Sequence, residues 1–423
     1  MNLSQSKNNK LNLIIEYFIV VIPFFLITGP FLSDLLYSLV SLYFFFFLKK
    51  IKFKKIFKIF FKIFFLFFSV ILISSFQAED KILSLSNSIF YFRFCLFSIT
   101  FYFILTLNKS ILNKIFFVLL FCYLILIFDG IYQFYFKENI FGVNLDATSN
   151  GLRVSSFFGD ELIYGSYLTR LSPLFFGLFF YLFNNLKNSY IFIIIFIFLL
   201  EFAVFISGER TALILFNIII FSVFIFINGY QKVRISLCIL IPISLIVLLT
   251  LETPAKFRIL DKTLIDLKAA DNKSKFLIIN KQYHEHYLSS YSIFKDNKFF
   301  GVGPKNFRVV CKDEKYNYSN LTCATHPHNT YLQLLSETGI FSFLIIFLLF
   351  ILINFILLKH LYYKIFKKKI LLDNFEICLF IYFYICIFPF TPSGSFFKNW
   401  ISMVYFYPLA ILLWLLRNKK IIK

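Results

Sequence analysis

The chain has 423 residues, of which 59% are hydrophobic and only 15% are charged. Soluble domains are about 45–50% apolar and about 25% charged, so this composition excludes an ordinary soluble protein and indicates a polytopic membrane protein. The net charge of +21 would suggest a nucleic-acid partner in a soluble chain. Here the cations fall in short loops between apolar segments, where they meet membrane lipid headgroups, and we expect no nucleic-acid partner.

Twelve apolar segments are long enough to be membrane spans, because a helix needs about 20 apolar residues to cross a bilayer. Their approximate cores are 12–29, 35–48, 59–76, 89–107, 114–134, 162–183, 189–207, 211–228, 235–251, 331–358, 370–389 and 400–416. We therefore predict an all-α polytopic membrane protein of about 12 transmembrane helices. Spans one to nine occupy 1–251, a long loop occupies 252–330, and spans ten to twelve occupy 331–423.

Basic clusters follow spans two, ten and twelve, all on the side of the N-terminus. They are Lys49, Lys50, Lys52, Lys54 and Lys55; Lys359, Lys364, Lys367, Lys368 and Lys369; and Arg417, Lys419 and Lys420. Because cytoplasmic loops are enriched in Lys and Arg, we predict that this side and both termini are cytoplasmic. The long loop is then predicted to be periplasmic.

The long loop has two features of its own. Tyr283, Tyr287, Tyr291 and Phe294 recur at helical spacing, which predicts a surface-lying amphipathic helix over Lys275–Asp296 with these aromatic residues on its apolar face. Cys311 and Cys323 can form a disulfide if the loop is outside the cytoplasm.

Polar residues gather at the predicted outer side of the spans. Span five carries Asp129, Gln133 and Lys137 at helical spacing, and the next loop carries Arg153 and Glu161. Arg153 either forms a structural ion pair with Glu161 or contacts a substrate, and the sequence leaves both interpretations open.

Arg210 lies in the tight turn Ser207–Thr211 between spans seven and eight, against the trend of positive charge on the cytoplasmic side. Snorkelling explains many single arginines at membrane boundaries. A guanidinium held in a short outer turn is suited to a phosphate or pyrophosphate, and we interpret Arg210 in this way. Gly301-x-Gly303 resembles a phosphate-binding loop only weakly, and a tight turn after Phe299–Phe300 explains it better.

The segment Thr325–Gly339 joins the long loop to span ten, and Asn329, Gln333, Ser336 and Glu337 share one face if a helix begins at 329. A polar stripe at the mouth of a membrane helix faces protein or water, which indicates a site. His328 can take a proton near neutrality. The alternative is a hydrogen-bonded interfacial histidine, but Asn329 beside it and the polar stripe favour the catalytic interpretation.

Two His-x-His pairs, His284/His286 and His326/His328, raise the question of zinc. The Cys/His spacings of structural zinc sites are absent, so we predict no metal and interpret His284 and His286 as solvated residues on a helix surface.

These residues resemble motifs of the O-antigen ligase and polymerase superfamily. The family's periplasmic-loop motif is a His, then Asn, Ser or Gln, nine residues, then Gly; His328, Asn329 and Gly339 keep this spacing, whereas Ser342 stands where the family has Gly, Thr or Tyr. Three other stretches are similar to the family's small-x-Arg-Thr turn, its Gly-x-Gly-x-x-x-Phe segment and its earlier outer loop, namely Ser207–Thr211, Gly301–Phe307 and Arg153–Gly165.

The resemblance implies a GT-C-like glycosyltransferase of the cell inner membrane that performs a metal-independent, inverting transfer without a cofactor. The donor is a lipid-linked glycan on undecaprenyl pyrophosphate, and the acceptor is lipid A-core in ligases or another lipid-linked glycan in polymerases. The resemblance implies catalytic roles for His328, Arg210 and Glu337, and substrate-binding roles for Arg153, Arg258, Asn329, Gly301, Gly303 and Lys305. His328 would deprotonate or orient the acceptor hydroxyl with Glu337 as a supporting carboxylate, and the arginines would hold the pyrophosphate.

The sequence leaves rival functions open. Ligase and polymerase share these motifs, and we take the ligase first because the long loop and the His-Asn segment suit it. A polysaccharide flippase would place ionisable residues near the midplane, where Glu201 and Arg93 are the candidates. A membrane scaffold subunit is a third interpretation.

Overall fold

The computed structural model describes residues 3–47, 55–145, 151, 153–183, 189–270, 281–417 and 419. Lys49, Lys50, Lys52, Lys54 and Lys420 of the predicted basic clusters lie outside these residues. Within them the regular secondary structure is helical, and one isolated bridge joins Glu138 to Asn144.

The helices follow the predicted spans closely. They are α1 (Leu3–Phe25), α2 (Pro30–Leu42), α3 (Phe44–Phe47), α4 (Lys55–Phe76), α5 (Lys81–Ile89), α6 (Phe92–Leu107), α7 (Ile111–Phe136), α8 (Tyr164–Leu182), α9 (Ser189–Ile206), α10 (Arg210–Phe226), α11 (Gln231–Thr250), α12 (Pro254–Lys256), α13 (Lys262–Ala270), α14 (Lys281–Asp296), α15 (Phe307–Val310), α16 (Thr330–Phe366), α17 (Asn374–Cys386) and α18 (Asn399–Leu416). A 3₁₀ turn at Ser156–Phe158 and a π turn at Phe257–Asp261 complete the set.

Length and hydropathy separate these helices into groups. In the described part of the chain, 7 helical segments are long and apolar enough to cross a membrane, and shorter apolar helices occupy Tyr190–Ile206, Arg210–Phe226 and Asn374–Cys386. The prediction of an all-helical polytopic membrane protein is therefore confirmed. The count of twelve crossings stays a prediction.

The chain forms two compact units. The first contains Met1–Ser33, Asn108–Leu264 and Asn354–Cys386. Its most enclosed helix is α8, whose side chains are buried along almost its whole length. Gly177 lets α17 approach closely, since a Cβ at this position would lie 2.6 Å from the ring of Phe375. Buried tyrosines on α7 and α8 donate to backbone carbonyls of the facing helix, Tyr123 to Leu168 and Tyr164 to Leu126, both at 3.1 Å.

The second unit contains Asp34–Leu107, Ile265–Ile353 and Ile387–Lys423. Here α6 packs against α18, and the hydroxyl of Ser98 on α6 donates to the carbonyl of Phe406 on α18 at 2.9 Å. The ring of Tyr37 stacks on Phe97 with 3.6 Å between ring centroids. Tyr37 and Phe97 thus form a packed aromatic pair within this unit.

The part of the long loop within the second unit has a small core of its own. The core consists of Ile293, Val302, Phe307, Val310, Cys311 and Tyr316, with Cys323 packed against it. The Cα atoms of Cys311 and Cys323 are 5.4 Å apart, a separation that suits a disulfide. The loop is therefore a folded element that can hold side chains in place.

The predicted amphipathic helix exists as α14, and residues 275–280 of the prediction lie outside the described residues. The prediction that its four aromatic residues form the covered face is wrong. The helix buries Glu285, His286, Ser289, Ser290 and Ile293, and it leaves Tyr291 47% exposed. Glu285 accepts from Ser319 and Thr322, Nδ1 of His286 bonds to the carbonyl of Thr322, and Ser290 donates to the carbonyl of Leu332. Polar partners rather than hydropathy thus decide which face is covered.

Candidate functional site

The turn between α9 and α10 brings two of the predicted arginines together in the first unit. The Nε atom of Arg210 donates to the carbonyl of Arg258 at 3.1 Å, and the Nε atom of Arg258 donates to the carbonyl of Gly208 at 3.0 Å. Gly208 adopts a φ of +64°, which favours glycine at this turn. These reciprocal bonds join the turn to Arg258 and hold the Nε atom of each guanidinium group in place.

Arg153 joins this turn through Glu209. Its Nη2 atom donates to the carbonyl of Leu162 at 2.8 Å and lies 3.7 Å from Oε1 of Glu209. Glu209 also accepts from the amide of Gly165 at 2.8 Å and the hydroxyl of Ser166 at 2.6 Å. Burial raises the pKa of the Glu209 carboxyl, and the charge of Arg153 opposes that rise.

Glu209 is therefore a site residue that the sequence analysis missed. The feature of the sequence that could have identified Glu209 is its position next to Arg210 in a short turn. The three arginines predicted to bind pyrophosphate, Arg153, Arg210 and Arg258, do converge on the turn that contains it. We call this group the arginine turn.

A small, open recess lies beside the arginine turn in the same unit. Lys137 and Arg153 are the charged residues in its lining, and both are cationic. The Nε atom of Arg153 is buried and has no hydrogen-bond partner among the residues that the structure describes. An anion in this recess would find two positive charges.

The predicted polar stripe on span five holds the neighbouring loop in place. Asp129 accepts from the amide of Ile140 at 3.0 Å and the hydroxyl of Ser156 at 2.5 Å. Oε1 of Gln133 accepts from the amides of Ser155 and Ser156 at 2.9 and 2.7 Å. This stripe thus positions the loop that carries Arg153.

In the second unit, α16 begins at Thr330, two residues after His328. The side-chain oxygen of Asn329 accepts from the amides of Tyr331 and Leu332 at 3.0 and 3.1 Å, which caps the first turn of the helix. Its amide nitrogen donates to the carbonyl of Pro389 at 2.9 Å. Because both ends of the Asn329 side chain are used in this way, its geometry favours positioning over substrate contact.

Ser393 ties the histidine segment to the loop before α18. Its amide donates to the carbonyl of His328 at 2.9 Å, and its carbonyl lies 3.2 Å from Nε2 of His326. Its hydroxyl bonds to that of Thr330 at 2.9 Å. His328 itself has a φ of +57°, an uncommon conformation for a residue with a Cβ atom.

Three imidazole rings meet at this point. The ring centroid of His328 lies 4.1 Å from that of His326 and 5.5 Å from that of His286. Burial, with the neighbouring His286, lowers the pKa of His328 to about 4. Burial, with the neighbouring His328, lowers the pKa of His326 to about 3. At neutral pH His328 is therefore uncharged and has a lone pair that can accept a proton.

His286 corrects the sequence analysis, which interpreted it as solvated. Its side chain is 0% exposed because α14 turns it inward, towards the carbonyl of Thr322. No cluster of three or more metal-ligating side chains arranged to hold a metal ion occurs in the described ranges, and metal independence stays a prediction.

The depressed histidine pKa values predict a pH-dependent stability. In the unfolded chain both rings take up a proton near the ordinary pKa of 6.5, whereas in the folded chain His328 does so only near 4. Between these values the unfolded state binds more protons, so stability that is present above pH 6.5 is lost as the pH falls through this window. We expect amide hydrogen exchange of residues 325–332, corrected for intrinsic rates, to accelerate from pH 7 to pH 5.

The matched control carries both His326→Asn and His328→Asn, which cannot titrate. Its corrected exchange in this segment should be the same at the two pH values. Equal protection of the wild-type segment at pH 7 and pH 5 would show that the histidines are not held uncharged.

The glycine segment packs against the first turns of α16. The amide of Val302 donates to the carbonyl of Ser336 at 2.9 Å, and the amide of Gly303 donates to that of Glu337 at 2.7 Å. A Cβ on Gly301 would lie 2.4 Å from the carbonyl carbon of Glu337, and one on Gly303 would lie 2.6 Å from Cβ of Ala78. Close packing therefore accounts for both glycines, as the tight-turn interpretation of the sequence suggests.

Glu337 is fully buried within this contact. Its carboxylate accepts from Nε2 of Gln333 at 2.9 Å and from the amide of Phe307 at 3.3 Å. These bonds join α16 to the segment that follows the glycines. The position of Glu337 favours support of the site over contact with a reacting atom.

Replacing Gly301 with alanine tests this packing. Gly301 has a φ of +64°, and an added methyl group meets helix backbone that cannot move aside. We expect destabilisation by about 3 kcal/mol or more, since strain and overpacking add. The control is Gly142→Ala, with a φ of +76° and nothing within 4 Å of the added Cβ. The measurement is the midpoint of thermal unfolding in detergent. If Gly301→Ala and Gly142→Ala lower this midpoint equally, the packing argument fails.

Lys305 belongs to a second cationic group, within the second unit. Its Nζ donates to the side chain of Asn87. Burial lowers its pKa, and the charges of Arg308, Arg93 and Lys398 act in the same direction. The Nε atom of Arg308 is buried and makes no hydrogen bond to any described residue. The sequence analysis missed Arg308, which stands three residues after Lys305.

The two candidates for a transport pathway have local partners. Arg93 donates to Asp34 at 2.6 Å, and Glu201 accepts from the hydroxyl of Ser244 at 2.5 Å. The ion pair and the hydrogen bond account for part of these polar groups, while Nε of Arg93 and Oε1 of Glu201 are buried without a partner among the described residues.

Comparison with known proteins agrees with the motifs. Residues 193–347 match the protein-family model described as O-Antigen ligase. This stretch contains Arg210 and Arg258 of the arginine turn, the glycine segment and the histidine segment, and Arg153 lies before it. No curated protein matches the chain. This match supports the predicted resemblance to the O-antigen ligase/polymerase superfamily.

Proposed function

We propose that this protein is an O-antigen ligase, which transfers a glycan from undecaprenyl pyrophosphate to lipid A-core on the periplasmic face of the inner membrane. The family match makes a glycosyltransferase-like enzyme of the bacterial inner membrane the starting point. The observation that carries the proposal is the uncharged His328, half-buried and with a free lone pair, beside the capped start of α16. We further propose twelve membrane crossings with both termini cytoplasmic.

The arginine turn is proposed to hold the pyrophosphate of the donor. Transfer breaks the bond between the sugar and a phosphate oxygen, so negative charge develops on the pyrophosphate as it leaves. Guanidinium groups that are already fixed stabilise this charge without reorganising. The reciprocal bonds of Arg210 and Arg258, and the recess beside Arg153, support this role.

His328 is proposed to be the general base. The acceptor hydroxyl attacks the anomeric carbon and gives its proton to His328, and the departing bond leaves its electron pair on the pyrophosphate. A single displacement of this kind inverts the anomeric configuration and needs no metal or cofactor, because the leaving group is already activated. Asn329 and Glu337 are proposed to position the segment, and Lys305 to contact an anionic part of a substrate.

Lipopolysaccharide from a deletion strain tests this function. We expect full-length glycan chains to remain on undecaprenyl pyrophosphate and lipid A-core to lack them. A core that carries a single repeat unit would identify a polymerase of the same superfamily instead. Complementation with the wild-type gene should restore the profile. Loss of lipid-linked glycan at the outer leaflet would point to a transporter and contradict the proposal.

A further inference from the structure

His286 has a defined tautomer. Its Nδ1 atom lies 2.7 Å from the carbonyl oxygen of Thr322, and a carbonyl can only accept, so Nδ1 carries the hydrogen of the neutral ring. The Nε2 atom then has a lone pair. This atom is buried and has no hydrogen-bond partner in the described ranges, a costly arrangement unless another group uses it.

The carbonyl that sets this tautomer is itself held firmly. The hydroxyl of Thr322 accepts from the amides of Tyr318 and Ser319 at 3.0 and 2.8 Å, and it donates to Glu285 at 3.2 Å. Glu285 directly precedes His286 on α14. Glu285 therefore bonds to the hydroxyl of Thr322, and His286 bonds to its carbonyl, from the same turn of this helix. The tautomer of His286 is therefore built into the fold.

His328 supplies the matching donor. A neutral imidazole has one N–H and one lone pair, and neither ring nitrogen of His328 bonds to a described residue. The centroids of the two rings are 5.5 Å apart with 27° between their planes, within reach of a small ring rotation or a bridging water. His326 cannot take this part, because Thr325 and Ser393 occupy its two nitrogens.

We propose that His286 is a positioning residue for His328. Its Nε2 atom accepts the N–H of His328, directly or through one water, and so turns the lone pair of His328 towards the acceptor hydroxyl. When the hydroxyl proton moves to that lone pair, His286 continues to hold the other N–H of the imidazolium. The inference rests on the proposed function, which assigns the base to His328.

Two substitutions of His286 separate this role from a structural one. Asparagine has an amide nitrogen near the place of Nδ1 and keeps the bond to Thr322, but it has no acceptor at Nε2. Glutamine has an amide oxygen near the place of Nε2 and keeps that acceptor. We expect His286→Asn to lower kcat about 10- to 100-fold with KM unchanged, and His286→Gln to recover most of the rate. The reverse order, with Asn active and Gln impaired, would assign His286 a structural role only.

A measurement without turnover keeps the two proposals distinct. In protein labelled with ¹⁵N-histidine, the nitrogen shifts of His328 at pH 7 should report a single tautomer in wild type and in His286→Gln, and an average of two tautomers in His286→Asn. Identical His328 shifts in wild type and His286→Asn would overturn the inference, whatever the transfer assay gives. A His328→Asn protein with wild-type transfer would instead overturn the assignment of the base.

Discussion

His328→Asn is expected to lower the rate of glycan transfer by roughly 10²- to 10⁴-fold, the usual contribution of a general base. Asparagine is the informative replacement because His328 has a φ of +57°, and asparagine tolerates this conformation better than alanine does. The backbone bond from Ser393 to the carbonyl of residue 328 is then retained. The measurement is transfer of a labelled glycan from undecaprenyl pyrophosphate to lipid A-core by protein reconstituted in liposomes.

The control for this experiment is His284→Asn. His284 lies on α14, two residues before His286, and has no role in the proposed chemistry. This variant should transfer at the wild-type rate. Wild-type transfer by His328→Asn would remove the general base from the proposal, while the arginine turn could still be tested by itself.

Arg210→Ala is expected to lower kcat/KM by about 10²- to 10³-fold, since one fixed charge at a leaving group contributes that much. Arg210→Lys should recover only a small part. Lysine keeps the positive charge but lacks the Nε donor that bonds to the carbonyl of Arg258 at 3.1 Å, and it lacks the planar fork that suits a phosphate.

Arg234→Ala provides a matched control at the start of α11. The Nε atom of Arg234 also donates to a backbone carbonyl, that of Phe224, at 2.7 Å, so the two variants lose a comparable structural bond. Arg210 is the first residue of α10, whereas Arg234 follows the last residue of that helix, Phe226. Equal loss of transfer in both variants would mean that the arginine matters for folding rather than for the donor.

The sequence predicts the helices of this fold well because apolar length alone determines them. It also predicts the arginine turn, since a cation in a short outer turn is conspicuous. Glu209 was harder to assign, because its role depends on the amide of Gly165 and on Arg153, which are far away in the chain. Helical spacing located α14 but not its buried face, where Glu285 and His286 find partners at Ser319 and Thr322.

The same limit applies to the polar stripe of α16. Spacing places Asn329, Gln333 and Glu337 on one face, yet the stripe faces protein rather than an open site. Gln333 donates to Glu337 and Ser395, and the amide of Phe396 donates back to it. A polar face at a membrane boundary thus indicates burial against polar partners, and only the structure identifies which of its residues remain available to a substrate.

The contacts of Ser393 affect how this site would respond to a genetic screen. Two of its three links, to His328 and His326, use backbone atoms, which every amino acid except proline provides. A scan of point substitutions through 391–395 would therefore find little at this position. A one-residue insertion or deletion would shift the carbonyl and the amide of residue 393 together and release both histidines. A library that changes loop length would therefore detect the role of this segment.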